Sequence, residues 1–482
     1  MNMFGSAADL ICGIVPNKTI TIGGLFKVAT NKTLAELKQE ASAGEARNTL
    51  LSLFDEDSFT ELSPFTGSSV ITGCGQIDGG LVYAFAQDLS VKSGAVCKAS
   101  AAKIVKLYKA AVKNGAPVIA FYDSKGGDVS EGVELLSAYG DIANASAELS
   151  GVVPQIAVVS GVCGGTAATL ACMSDFVIMT EKAELFLTAP FVAADGTAGA
   201  GTAKNAALSG VSCLTVKDTA EAVEKVKKLA AILPQNNLEV AGNDYFAVSE
   251  ETPDAGLKGE AMVKTIADKD SLTELFAEFG KASYVALGSV NWKTVGFVAT
   301  NKTEDKLTSD DTAKIARFVG ICDAFSIPVV TLVDTEGYEA SSAAELSGSI
   351  RNAAKLTQAY ASATTPKISL ITGNALGGSF TAFCGANADF TAALEQAVIA
   401  PLTPKAAAVF LYADKCDTKE ALAKAAEEYA AAEASAVNAI EKGVIDSVIA
   451  PEEIWKTVNS VLETLSGKRV IAPSRKHINF VY

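Results

Sequence analysis

Pro154-Gln-Ile-Ala-Val-Val-Ser-Gly-Val-Cys-Gly-Gly-Thr-Ala167 is the stretch that decides the fold. It opens on an apolar run, Ile156 to Val159, of the length of a buried strand. The run breaks at Ser160-Gly161 and passes through Gly164-Gly165. Residues 167–173 are alanine-rich and helix-permissive. Strand, glycine turn and helix in that order place backbone N–H groups at a helix start, where they can face a ligand. Glycine suits the turn because a side chain would block close approach of the backbone.

The stretch recurs as Pro366-Lys-Ile-Ser-Leu-Ile-Thr-Gly-Asn-Ala-Leu-Gly-Gly-Ser379. The registration extends well beyond the turn. Pro117 and Pro328 stand 211 residues apart, as do Asp123 and Asp334. Pro154 and Pro366 stand 212 apart, as do Gly165 and Gly377. Asp175 and Asp389 stand 214 apart. An offset this steady predicts two homologous α/β domains, residues 1–250 and 251–482. Each carries an earlier strand and glycine turn as well, Asp123-Ser-Lys-Gly-Gly127 in the first and Asp334-Thr-Glu-Gly337 in the second.

The surrounding pattern is α/β. A hairpin is expected over residues 70–88, and helices over 33–40, 47–55, 101–114, 133–147, 220–233, 311–325, 342–361 and 418–435. Residues 192–205 read as a surface loop, and the polar stretch 235–270 as a linker.

Composition narrows the chemistry. The 482 residues carry a net charge of −15, which leaves no basic footprint for nucleic acid. Nine cysteines, scattered and without a CxxC, suit reduced thiols in a cytoplasm better than disulfides or zinc, so no metal site is expected. No apolar run approaches a membrane span, and the first residues lack the basic start of a signal peptide. The one histidine, His477, reads as a tail residue. Chemistry must therefore come from carboxylates, lysines, tyrosines, cysteines or the backbone.

Ligands of open α/β folds bind at the C-terminal ends of the strands. Gly126, Gly127 and residues 164–167 can line one pocket; Gly337, Tyr338 and residues 377–379 can line another. Converging N–H groups there would make an oxyanion hole, strengthened by the helix dipole. The bland alternative is that these glycines only let helices pack close to strands. No P-loop pattern occurs at either turn. Cys163, Lys125, Asp128 and Glu131 are further candidates, each with an ordinary packing, solvation or helix-dipole reading.

At these residues the chain resembles the carboxyltransferase subunits of biotin-dependent acyl-CoA carboxylases and decarboxylases, of the crotonase superfamily. The resemblance rests on Leu51-Ser-Leu-Phe-Asp-Glu-Asp-Ser-Phe-Thr-Glu-Leu62, Ser150-Gly-Val-Val-Pro-Gln155, Arg317-Phe-Val-Gly-Ile-Cys-Asp-Ala-Phe-Ser-Ile-Pro328 and Ala375-Leu-Gly-Gly-Ser379. It implies two tandem crotonase-like (ββα superhelix) domains. The first would hold an acyl-CoA thioester and the second, from a neighbouring subunit, carboxybiotin. Carboxybiotin would release CO2, the biotin enolate would take the acyl α-proton, and the carbanion would attack CO2.

By the same resemblance Gly165, Thr166 and Ala167 fall at the thioester, and Gly377, Gly378 and Ser379 at biotin. Gly126, Gly127, Gly337 and Tyr338 would line the two substrates. Biotin would arrive on a separate carrier protein, with biotin carboxylase or membrane decarboxylase subunits as further partners and a homodimer or hexamer as the assembly. Three other readings stay open: the soluble subunit of a sodium-pumping acyl-CoA decarboxylase, a biotin-independent hydrolase or isomerase of acyl-CoA, and a non-catalytic assembly subunit. The chain departs from the family at Thr166, where glycine is usual, and at Lys125 to Asp128.

Overall fold

A computed structural model describes residues 33, 44–64, 67–190, 192, 199–240, 246–304, 306–416 and 418–471. The strands fall into two main sheets that follow the repeat. The first contains β1 (Thr60–Leu62), β2 (Val70–Ile77), β3 (Gly80–Gln87), β4 (Val118–Tyr122), β5 (Gln155–Val159), β7 (Phe176–Thr180) and β9 (Leu214–Val216), in that spatial order. Two short strands, β6 (Val162–Gly164) and β8 (Glu184–Phe186), pair separately. The second sheet contains β10 (Thr273–Glu274), β11 (Tyr284–Val290), β12 (Lys293–Ala299), β13 (Val329–Thr335), β14 (Lys367–Leu376), β15 (Phe390–Leu394) and β17 (Ser447–Ile449). Strand β16 (Val398–Ala400) joins the end of β14. Each sheet starts antiparallel and turns parallel at its third pairing, β3 with β4 and β12 with β13.

Alternation along the strands sets which face meets which core. In β4, Ile119 and Phe121 enter one core, while Val118, Ala120 and Tyr122 enter another. β13 splits as well, with the equivalent positions exchanged: Val329 and Val333 enter the first core, and Val330 and Leu332 enter a third. The first faces of both sheets belong to a single hydrophobic cluster. Helices Thr219–Ile232 and Ser309–Ala324 fill it with Val226, Leu229, Ile315, Phe318 and Val319.

Polar bonds also cross between the halves. Arg317 Nη2 donates to the carbonyls of Ser174 and Asp175, both at 3.1 Å. Thr294 Oγ1 donates to Ile232 O at 2.8 Å. Burial contributes about 2 kcal/mol per large apolar side chain, against about 1 kcal/mol net for a hydrogen bond. The shared core therefore does more than these bonds to join the two halves.

The structure corrects parts of the sequence reading. The stretch 235–270 is not a plain linker: it contains helix Gly259–Ile266, which buries Met262, Val263 and Ile266. Polar residues at its ends hid that apolar stripe. The helix expected over 342–361 is two, Ser342–Ser347 and Ser349–Ser362, parted by Gly348 in a left-handed conformation. Helix Ala203–Leu208 overlaps the end of the expected loop, started by the Thr202 cap. Helices Pro404–Tyr412 and Ile454–Leu465 were not foreseen. Residues 34–40, and His477, lie outside the described residues.

The seam also contains a titrating group. Asp175 accepts from Gln155 N at 2.9 Å, and Asp389 repeats the bond with Lys367 N at 2.8 Å. Burial pushes the Asp175 carboxyl up from 3.8 to about 6, against the pull of that backbone N–H and of Arg317. The folded chain thus holds this proton more tightly than the unfolded chain does between about pH 4 and 6. Stability from this group is present below that window and is lost as pH rises through it. Asp175→Asn should remove this dependence, so its urea midpoint relative to wild type should be higher at pH 7 than at pH 4.5. Parallel midpoints at the two pH values would refute the assignment.

Candidate functional site

Each half builds the same two loops at the C-terminal ends of its parallel strands. After β4, Ser124 Oγ accepts from Gly126 N at 3.1 Å and donates to Gly126 O at 2.9 Å. After β13, Thr335 Oγ1 accepts from Gly337 N at 3.2 Å and donates to Gly337 O at 3.1 Å. Such hydroxyl-to-backbone bonds mimic a turn and fix the loop. The glycines take φ 121° and 110°, which other residues rarely adopt. An isolated parallel bridge then clamps each loop, Val96 to Gly127 and Leu307 to Tyr338. Gly126 and Gly337 have therefore spent their N–H groups. Among the described residues, the N–H groups of Gly127 and Tyr338 have no partner.

The second loop of each half is the glycine turn. Gly165 has φ 63° and ψ −131°, and Gly377 has φ 52° and ψ −119°. Gly165 N donates to Phe186 O at 2.8 Å, and Gly377 N donates to Ala400 O at 2.9 Å. These two residues shape the turn and are not free donors. Each turn is followed by a short helix, Thr166–Cys172 or Gly378–Phe383. Its first N–H groups, on Thr166 and Ala167 or on Gly378 and Ser379, have no intrahelical acceptor. The Ser379 hydroxyl is buried and tied to Leu376, donating to its O at 2.8 Å and accepting from its N at 3.1 Å.

A carboxylate couples the strand end to the turn in each half. Asp123 Oδ1 accepts from Val162 N at 3.2 Å, and Asp334 Oδ1 accepts from Asn374 N at 2.8 Å. A Cβ on Gly161 would lie 2.1 Å from the Asp123 carboxylate, and one on Gly373 would lie 2.2 Å from that of Asp334. Loop and turn also touch directly: Ser124 N donates to Val162 O at 2.8 Å, and the Tyr338 hydroxyl reaches Gly378 O at 3.4 Å. A cavity of 740 Å³ opens beside the second turn, lined by Gly377, Phe380, Thr381, Tyr412, Tyr429 and Asn438 among others.

Comparison with known proteins agrees with this architecture. Residues 43–480 match the carboxyl transferase domain family. The chain belongs to the carboxyl transferase domain family. It is 35% identical to the methylmalonyl-CoA carboxyltransferase 12S subunit of Propionibacterium freudenreichii subsp. shermanii, over 93% of this chain and 96% of that one. It is 32% identical to the methylmalonyl-CoA decarboxylase subunit alpha of Propionigenium modestum, over 94% and 96%. A solved transcarboxylase 12S structure, a hexamer assembly with hydrolyzed methylmalonyl-coenzyme A bound, superposes with a TM-score of 0.87 at 32% identity, over 93% of this chain and 95% of that one. The fold is accordingly the tandem crotonase-like one.

The remaining candidate side chains of this carboxyl transferase chain are tied into structure. Cys163 is buried, and burial pushes its thiol up to about 12, so the helix start does not activate it. Asp128 pairs with Lys92, which holds its carboxyl down at about 2, and it caps a short turn through Ser130 N at 3.1 Å. Glu131 accepts from Lys98 N at 2.7 Å. Both carboxylates thus brace the Gly126-Gly127 loop. Lys125 is exposed. Tyr338 is half-buried, and the burial pushes its phenol up to about 12 and leaves it neutral.

Sequence reasoning missed Ser124, Thr335 and the structural use of Asp123 and Asp334. The repeat did contain the signal, because a carboxylate followed by a hydroxyl residue stands before each glycine loop. Gly373→Ala tests the coupling. Its Cβ would displace the Asp334 carboxylate from Asn374 N, so stability should fall by about 1–3 kcal/mol, read from the urea midpoint. An unchanged midpoint would show that the carboxylate moves aside freely.

Proposed function

We propose that this chain is a biotin-dependent carboxyltransferase moving a carboxyl group between biotin and a short acyl-CoA of the propionyl or methylmalonyl type. The observation that carries the proposal is the duplicated pair of unspent backbone donors, Gly127 with Thr166 and Tyr338 with Gly378. Loss of an acyl α-proton drives negative charge onto the thioester oxygen, and N–H groups fixed before the reaction stabilise that charge without reorganising. We assign residues 1–250 to the acyl-CoA side, with Gly165 and Ala167 framing Thr166. Residues 251–482 are assigned to the biotin side, with Gly337, Gly377 and Ser379 framing the second pair.

Biotin fits the second half. The 740 Å³ cavity beside Gly377 offers aromatic walls for an apolar ring and Asn438 for polar contact. When bound, biotin supplies the ureido nitrogen that carries the carboxyl group. Tyr338 and Gly378 would direct their N–H groups at the ureido oxygen, and the buried Ser379 hydroxyl would keep the helix start rigid.

Relatives named for carboxyltransferase and for decarboxylase activity both align nearly end to end, so both directions are supported. A biotin carrier, with biotin carboxylase or membrane decarboxylase subunits, completes the system in this proposal. We infer a hexamer from the assembly of the transcarboxylase 12S relative, and a cytoplasmic location. Among the described residues, no helix is long and apolar enough to cross a membrane.

The test deletes one donor without disturbing the helix. Proline is tolerated at the first helical position but has no N–H. Thr166→Pro should lower kcat for carboxyl transfer from biotin to acyl-CoA by about 10²–10³, whereas Thr166→Ala, which keeps the N–H, should lose far less. Equal rates for the two variants would remove the Thr166 N–H from the mechanism.

A further inference from the structure

The two donor pairs differ in a complementary way. In the second half the loop residue Tyr338 has a large ring and the helix-start residue Gly378 has no side chain. In the first half the loop residue is Gly127 and the helix-start residue is Thr166. The structure gives the reason. A Cβ on Gly378 would come to 3.0 Å from the Tyr338 ring edge, so that ring crowds any side chain there. In the first half, Leu135 and Tyr139 press on Gly127 instead: a Cβ on it would meet Leu135 Cδ2 at 2.6 Å and the Tyr139 hydroxyl at 3.2 Å. With no ring at position 127, the space over the first helix start is free for the Thr166 side chain. That side chain is exposed and makes no hydrogen bond among the described residues.

The turn backbones match, so the Thr166 Cβ takes the direction in which a Cβ on Gly378 would meet Tyr338. In the second half that direction leads to the ring of the loop residue, Tyr338. A β-branched side chain there has restricted rotamers, so its volume stays in place.

We propose that Thr166 is a specificity-determining residue for the acyl group, its methyl and hydroxyl filling the space beside the donor pair where substituents on the acyl α-carbon would sit. This inference rests on the acyl-CoA assignment of the first half. It adds that volume at position 166, not hydrogen bonding by its hydroxyl, confines that half to short acyl chains. Thr166→Gly copies the second half and opens the space. Thr166→Val keeps the volume and removes the hydroxyl. One methylene in an apolar pocket is worth about 10–200-fold in discrimination.

The experiment measures dissociation constants for propionyl-CoA and hexanoyl-CoA by titration calorimetry on the full chain, wild type and both variants. The readout is the ratio of the two constants within each protein, so a general loss of stability cancels. Thr166→Gly should shift the ratio at least tenfold toward hexanoyl-CoA, and Thr166→Val should keep the wild-type ratio. A ratio within threefold of wild type for Thr166→Gly overturns the inference. So does a Thr166→Val ratio that shifts as far as that of Thr166→Gly, because the hydroxyl would then be the determinant. No binding of either thioester by wild type overturns it together with the acyl-CoA assignment. Normal acyl-CoA binding without carboxyl transfer from biotin overturns the proposed reaction alone, and the ratios still decide the role of Thr166.

Discussion

The carboxylates of Asp123 and Asp334 occupy the space that a Cβ on Gly161 or Gly373 would need. The site geometry depends on that constraint. Asp123 directly follows β4 and Asp334 is next to last in β13, and each grips the first backbone N–H beyond the neighbouring glycine. The hydroxyl residue that follows then folds the donor loop back on itself. Three consecutive features, carboxylate, hydroxyl and glycine loop, thereby fix where a free N–H points. The glycine turn next door is fixed by a second anchor, the bond from Gly165 or Gly377 to the strand beyond it. The unspent donors are left over because their neighbours' N–H groups are committed.

Much of this was legible in the sequence, and the reason is the repeat. A single Gly-Gly is ambiguous, since glycine serves close packing as readily as ligand approach. The offset of Asp123 to Asp334 and of Gly165 to Gly377 removed much of that ambiguity and gave the α/β order of both halves. The pattern did not say which N–H groups are free. Gly126 and Gly127 look alike in the sequence, yet one is bound by Ser124 and the other is not. The helix at Gly259–Ile266 was missed because its apolar stripe, Met262, Val263 and Ile266, is short and set in polar sequence. Helix Pro404–Tyr412 begins on a proline, a signal that marks a helix start as readily as a break. Tyr412 and Tyr429 reach the cavity beside the second turn only through the pairing of the helices Pro404–Tyr412 and Lys419–Glu433, which no local pattern reveals.

The two halves have kept the backbone and exchanged the side chains around it. Tyr338 leans on Gly378 in one half, while in the other Leu135 and Tyr139 crowd Gly127 and leave the space over the helix start to Thr166. The shared core between the sheets takes a different face from each half. From the first half it takes the strand faces that point away from the helices Lys98–Asn114 and Val133–Leu149, and from the second the faces that carry the helices Ser309–Ala324 and Ser349–Ser362. Tyr338 and Phe380 pack against that core, so changes around the second half's loops reach the junction, whereas Leu135, Tyr139 and Ala167 of the first half belong to a separate core.

A donor made of peptide N–H groups also differs from one made of side chains in how it tolerates change. A histidine or lysine donor works only in one protonation state and only with its own side chain present. A backbone N–H does not titrate in the working range, and every residue except proline carries one. The position can then change from glycine to threonine, or from glycine to tyrosine, without losing the donor. What changes is the shape of the space beside it. A chain with two such pairs can hold the chemistry constant in both while fitting each to a different molecule, which is what transfer of a group between two dissimilar substrates requires.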